Sequence, residues 1–175
     1  LKIGDGGPEV LRKLELVMKQ AGVTTEDRKV VVAARERMAE TGTPCAAIEL
    51  RDGRIMTGRT NDLLGAVASC LINSMKLNAG LPHPLHLISR ESLEPIQTLK
   101  TQYLGSHNPR LHTDEMLIAL SVSAATDPQA KLTLEQLPYL RGCEAHSTVI
   151  ISPVDEVVFR KLGIHITCEP QYSVN

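Results

Sequence analysis

No charged side chain occurs between Asp62 and Lys76, and the stretch "NDLLGAVASCLINSMKLNAG" (61–80) is built mainly from Leu, Ile, Val, Met and small residues. A helix that is apolar on nearly every side has to be covered on most of them. Gly65, Ala66, Ala68 and Ser69 leave one flank slim enough for a close neighbour. A second run, free of charge from Met116 to Thr126, makes the same demand. The nearly apolar runs 62–72 and 116–126 fall short of the roughly 20 residues that a bilayer span requires. The cover therefore has to be protein, and no membrane partner is expected.

Strands can supply that cover. Asp52-Gly53 is a strong hairpin signal, because the tight turn needs positive φ at both central residues, and strands are read on either side at about 45–50 and 54–58. "PLHLIS" (84–89), the β-branched "HSTVIIS" (146–152) and "IHITC" (164–168) read as further short strands. Helix-start signals recur between them: Ser89 or Ser92, Thr113 or Asp114, and a cap followed by proline at Asp127-Pro128 and Ser152-Pro153. This alternation predicts an α/β fold with helices packed on a mixed sheet of about five strands. Ahead of it, "PEVLRKLELVMKQA" (8–21) and "TTEDRKVVVAARERMAETG" (24–42) carry apolar residues at helical spacing. They predict an N-terminal helical hairpin over 1–42, preceding an α/β domain over 43–175. The first residue, Leu1 rather than Met, reads as the start of a partial or processed chain. A faint echo joins "TNDLLGAVASCLI" to "HTDEMLIALSVSA", each a polar-acidic entry into an apolar, small-residue helix.

Composition narrows the function. With no Trp, one Phe and three Tyr, the chain lacks the aromatic platforms on which single-stranded nucleic acids stack. Its 19 basic and 20 acidic residues give a net charge of −1 with no block of one sign, so no nucleic-acid footprint is present. Cys45, Cys70, Cys143 and Cys168 are scattered without metal-type spacing, the pattern of reduced thiols in a cytoplasm. Cys70, in the apolar helix, reads as a small buried hydrophobe.

The densest chemistry is "SHNPRLHTDE" (106–115), immediately before the second uncharged run. A helix N-terminus offers unpaired N–H groups and partial positive charge to an anion. Arg110 precedes one by a few residues and can grip an oxyanion with two parallel hydrogen bonds. Ser106, Asn108, His112 and Thr113 can donate further bonds, while Asp114 at the cap would oppose an anion. Arg59 stands before the other uncharged helix in the same way. "GCEAHST" (142–148) adds His146, Ser147 and Thr148 as possible lining if both loops share one sheet edge. His107, His112 and His146 are the candidate acid–base groups. Cys143 with His146 as a nucleophile pair, and His107, His112 and Asp114 as metal ligands, are weaker readings, since neither spacing matches a motif with a mechanism. No cofactor is named by any motif, and no Walker-type loop occurs.

"LGSHNPRLHTDEMLIALSVSAAT", "LRGCEAHSTVIISPVDEVVFRKLGIHITCEP" and "MTGRTNDLLGAVASCLINSMK" closely resemble the C-terminal part of a bacterial family catalogued as domain-of-unknown-function 1846, or uncharacterised protein family 0371. The likeness runs from about residue 8 to Pro170. It implies cytoplasmic proteins much longer than this chain, with an upstream α/β domain that has a P-loop-like stretch and would face the 106–115 loop. The expected role is binding of a small phosphate- or carboxylate-bearing metabolite, with a homo-oligomer as the expected assembly. A structural or oligomerisation domain without a site is the alternative, and a metal-dependent hydrolase a weaker one.

Overall fold

Asp52 and Gly53 turn the chain between the first two strands, β1 (Cys45–Glu49) and β2 (Ile55–Arg59), with Gly53 at φ 85° and the Asp52 carboxylate accepting from the Arg54 N–H. The computed structural model describes residues 8–172. Two more strands, β3 (Glu144–Ser147) and β4 (His165–Cys168), complete a sheet of order β2-β1-β3-β4. Pairing is antiparallel except between β3 and β4, so the sheet is mixed.

The described residues also form seven α-helices: α1 (Pro8–Ala21), α2 (Lys29–Thr41), α3 (Ala66–Asn78), α4 (Arg90–Thr98), α5 (Thr113–Ser123), α6 (Pro128–Leu134) and α7 (Pro153–Leu162). Strand alternation assigns the two faces. Ala46, Ile48 and Ala145 point into the main core, which includes Cys70, Leu71, Met75, Met116, Leu120 and the lone Phe159. Ala47 points the other way, against Val30 and Ala34 of α2. The expected pair of N-terminal helices is present, but only α2 buries residues on the sheet.

The uncharged run is buried as its composition requires, with nine buried residues in α3. Its slim flank meets β2 so closely that a Cβ on Gly58 would stand 2.1 Å from the Cys70 nitrogen. Burial pushes the Cys70 thiol up to about 12, so this cysteine packs as an apolar side chain. The helix starts at Ala66 rather than at Asn61 or Asp62. Residues 61–64 form a turn instead, in which the Asn61 carbonyl Oδ1 accepts from the N–H groups of Leu63 and Leu64.

The described residues form four strands, close to the five or so expected. Residues 84–89 are irregular, because Pro82 and Pro84 lack the N–H groups a ladder needs. The carbonyls of His83 and Leu85 instead turn to the buried Lys76 ammonium, at 2.6 and 2.9 Å. Leu87 and Ile88 still enter the core. The strand expected over 146–152 lies earlier, at Glu144–Ser147, and residues 148–152 form an open loop.

Candidate functional site

Leu64 and Leu111 form an isolated parallel bridge, reinforced by Leu111 N–H to Leu63 O at 2.8 Å and Gly65 N–H to Leu111 O at 3.3 Å. This bridge joins the two echoing segments just before their helices. As a result α3, capped at Gly65, and α5, capped at His112, begin side by side. A third helix, α7, begins in the same place, with the Ser152 hydroxyl accepting from Asp155 N–H at 3.1 Å.

Asp155 ties the second start to the third. Its Oδ1 accepts from the N–H of Thr113 at 2.8 Å and from the Thr113 hydroxyl, and its Oδ2 accepts from the Ser152 hydroxyl at 2.8 Å. The same Oδ2 is 3.3 Å from His112 Nδ1. Burial alone would push the Asp155 carboxyl up. The hydrogen bonds from His112, Thr113 and Ser152 outweigh it and hold the group below its ordinary value. In return, the bond to Asp155 raises His112 against the opposing effect of its own desolvation. With Nδ1 occupied by Asp155 and Ser152, His112 Nε2 has no partner among the described residues.

His112, Ser152 and Asp155 line a cavity of about 530 Å³. Thr60, Asn108, Arg110, His112 and Ser152 make its polar part, while Val67, Leu111 and the 149–151 loop make an apolar wall. Arg110 Nε donates to Asn61 O at 2.9 Å, and among the described residues its terminal nitrogens have no hydrogen-bond or ion-pair partner. A smaller depression of about 310 Å³ shares Thr60 and Arg110 with the first and adds Arg59. Lys100 holds the loop in place from below. It is 5% exposed, in the wide turn Leu99–Tyr103 that continues α4, and its ammonium bonds Arg110 O at 2.6 Å and the Glu115 carboxylate at 2.7 Å.

The structure brings some of the expected residues together and scatters others. Asn108, Arg110, His112 and Ser147 line the larger cavity, and Arg59 lines its neighbour. His107 is exposed and lines neither. Ser106 is spent on a turn with Asn108, and Thr113 and Thr148 are buried in bonds to Asp155 and to the Cys45 N–H. The α5 cap is His112, with Glu115 reaching back to the His112 N–H, rather than Thr113 or Asp114.

His146 lies on the opposite face of the sheet. It pairs with Ala47 in register, under α2, and bonds Thr167 and Glu169 at 2.8 and 3.2 Å. One residue of strand reverses a side chain, so His146 and Ser147 cannot line one site. Desolvation lowers His146, with Arg28 and Arg35 adding to it and Glu169 opposing. Burial pushes the Cys143 thiol up, away from the nucleophilic form. Among the described residues, no three His, Cys, Asp or Glu side chains gather as a metal site.

Asp155, Lys100 and, beyond its role as a cap, Ser152 are not among the residues expected around the cavity. The signal for Asp155 was present: an acidic residue three positions after a serine cap can serve the cap. That it also serves a second helix depends on long-range packing.

A UPF0371 protein of Corynebacterium efficiens is 55% identical over 94% of this chain. One from Corynebacterium glutamicum is 53% identical over 92%, and one from Streptococcus pyogenes 48% over 93%. The matched region is 33%, 32% and 33% of those relatives, so the chain spans about a third of their length. No helix among the described residues is long and apolar enough to cross a membrane. Residues 26–175 match the family model described as the C-terminal part of the domain of unknown function DUF1846, and the chain belongs to that family.

Proposed function

We propose that this domain binds a small metabolite bearing a phosphate or carboxylate, in the cavity where α3, α5 and α7 begin. The observation that carries the reading is the pairing of two groups on one wall. Among the described residues the terminal nitrogens of Arg110 and Nε2 of His112 have no partner, and Asp155 holds His112 toward its cationic form. Asp155 shares its charge with His112 and three donors, so the polar part of the cavity keeps a positive excess from Arg110. The volume lies within the roughly 300–1,000 Å³ range of small-molecule sites. The apolar wall suits a ligand with a non-polar body behind its anionic group. Arg59, beside Arg110, can hold a second anionic group, and His112 Nε2 is placed to exchange a proton with a bound oxygen. The four free cysteines fit a cytoplasmic setting.

Thermal unfolding with inorganic phosphate, phosphorylated metabolites and dicarboxylates tests this reading. A ligand at about one hundred times its Kd adds roughly 2.7 kcal/mol, a rise of about 5–10 °C for a domain of this size. Arg110→Ala should abolish the rise while leaving the unliganded Tm within about 2 °C. A rise that survives Arg110→Ala, or none with any compound, contradicts the reading.

The assembly alternative has one observation of its own. Ile118 and Val122, one turn apart on α5, are 64% and 70% exposed. They would seat a second subunit, and the absence of any ligand effect would favour that role.

A further inference from the structure

We propose that α1 is a docking strip that holds this domain to the preceding part of the longer polypeptide found in its relatives. Along α1, Val10, Leu11, Leu14 and Val17 form one apolar stripe at helical spacing, and they are 39%, 46%, 50% and 60% exposed. No residue of this 14-residue helix is buried. A helix shorter than about 12–15 residues is marginal in water, and most helical stability comes from packing an amphipathic face. The stripe therefore calls for a cover that the 8–172 region does not supply.

Two facts say what the cover is. The family's C-terminal domain model begins at residue 26, so α1 stands just ahead of that domain, at its junction with whatever precedes it. The matched region is only 33% of the Corynebacterium efficiens relative, so most of that chain lies outside it. A second copy is the poorer occupant on grounds of area. A 14-residue helix is about 21 Å long and about 10 Å across, so one face offers a strip of roughly 200 Å². A stable association between separate proteins buries about 800 Å² per partner. Within one polypeptide the effective concentration is high, reaching the millimolar range for short linkers, and a small patch suffices. The receiving surface is then an apolar groove about one helix wide. This inference does not rest on the anion site.

Hydrogen exchange of α1 in this chain and of the matching helix in the full-length Corynebacterium efficiens relative tests it, with sedimentation velocity run alongside. The expected result is near-unprotected α1 amides in the 175-residue chain, whether or not other faces of it associate, and exchange roughly a hundredfold slower in the full-length relative. Leu14→Asp in this chain should then change neither its exchange nor its sedimentation. Three results would overturn the proposal: free exchange in both proteins, protection of α1 in this chain while it sediments as a monomer, or protection accompanied by a dimer that Leu14→Asp dissociates. The last would identify a second copy as the occupant.

Discussion

Gly58→Ala should lower stability by about 3–5 kcal/mol, at the upper end of what overpacking produces. The added Cβ would lie 2.1 Å from the Cys70 nitrogen, 2.5 Å from its Cα and 2.6 Å from the Ser69 carbonyl carbon. All three are backbone atoms of α3, so no side chain can rotate aside. Either β2 or the whole helix has to move, and α3 is locked into the core by Leu71 and Met75. The effect reaches the cavity, because Thr60 just after β2 and Gly65 just before α3 both line it. Urea unfolding checks this, with an expected fall in midpoint of more than about 1 M. Gly53→Ala is the control. Its φ of 85° strains an L-residue, but a Cβ there meets nothing within 4 Å, so the loss should be only about 1 kcal/mol.

Asp155→Ala should be nearly as damaging, at about 3–5 kcal/mol. The carboxylate is buried and accepts from Thr113 N–H, the Thr113 hydroxyl and the Ser152 hydroxyl besides facing His112. Alanine leaves the buried Thr113 donors unpaired and unties the start of α5 from that of α7. The loss should depend on pH with a definite sign. His112 is raised above its ordinary 6.5, so its share of the stability is complete below 6.5 and disappears as pH rises through the raised value. Asp155 is lowered below its ordinary 3.8, so its share is complete above 3.8 and disappears as pH falls through the lowered value. The difference between parent and variant should therefore peak between about pH 4 and 6.5. A difference that keeps growing from pH 6 to pH 9 would contradict the pairing.

Much of this architecture is legible in local chemistry. The hairpin at Asp52-Gly53, the burial of α3 and the proline-marked starts of α6 and α7 follow from turn, patterning and capping rules that act within a few residues. Residues 84–89 look like a strand as an apolar run, but the carbonyl of Leu85 and that of His83 just before the run serve Lys76, whose ammonium comes from another element. His146 misled for a geometric reason, since its face depends on register with β1, which sequence alone does not fix. Arg110 and His112 stand out in the sequence because a helix start concentrates polar residues near its own N–H groups, and both line the cavity. Asp155, 43 residues from His112, became visible only when two helix starts were brought together.

The most direct test of the binding account is an NMR titration of the His112 and His146 imidazoles, with and without inorganic phosphate at matched ionic strength. Without phosphate, His112 should titrate above 6.5 and His146 below it. If the cavity holds an anion between Arg110 and His112, phosphate should raise His112 further and leave His146, across the sheet, unmoved. If phosphate moves neither imidazole, or moves both alike, the cavity is not the anion site proposed for it.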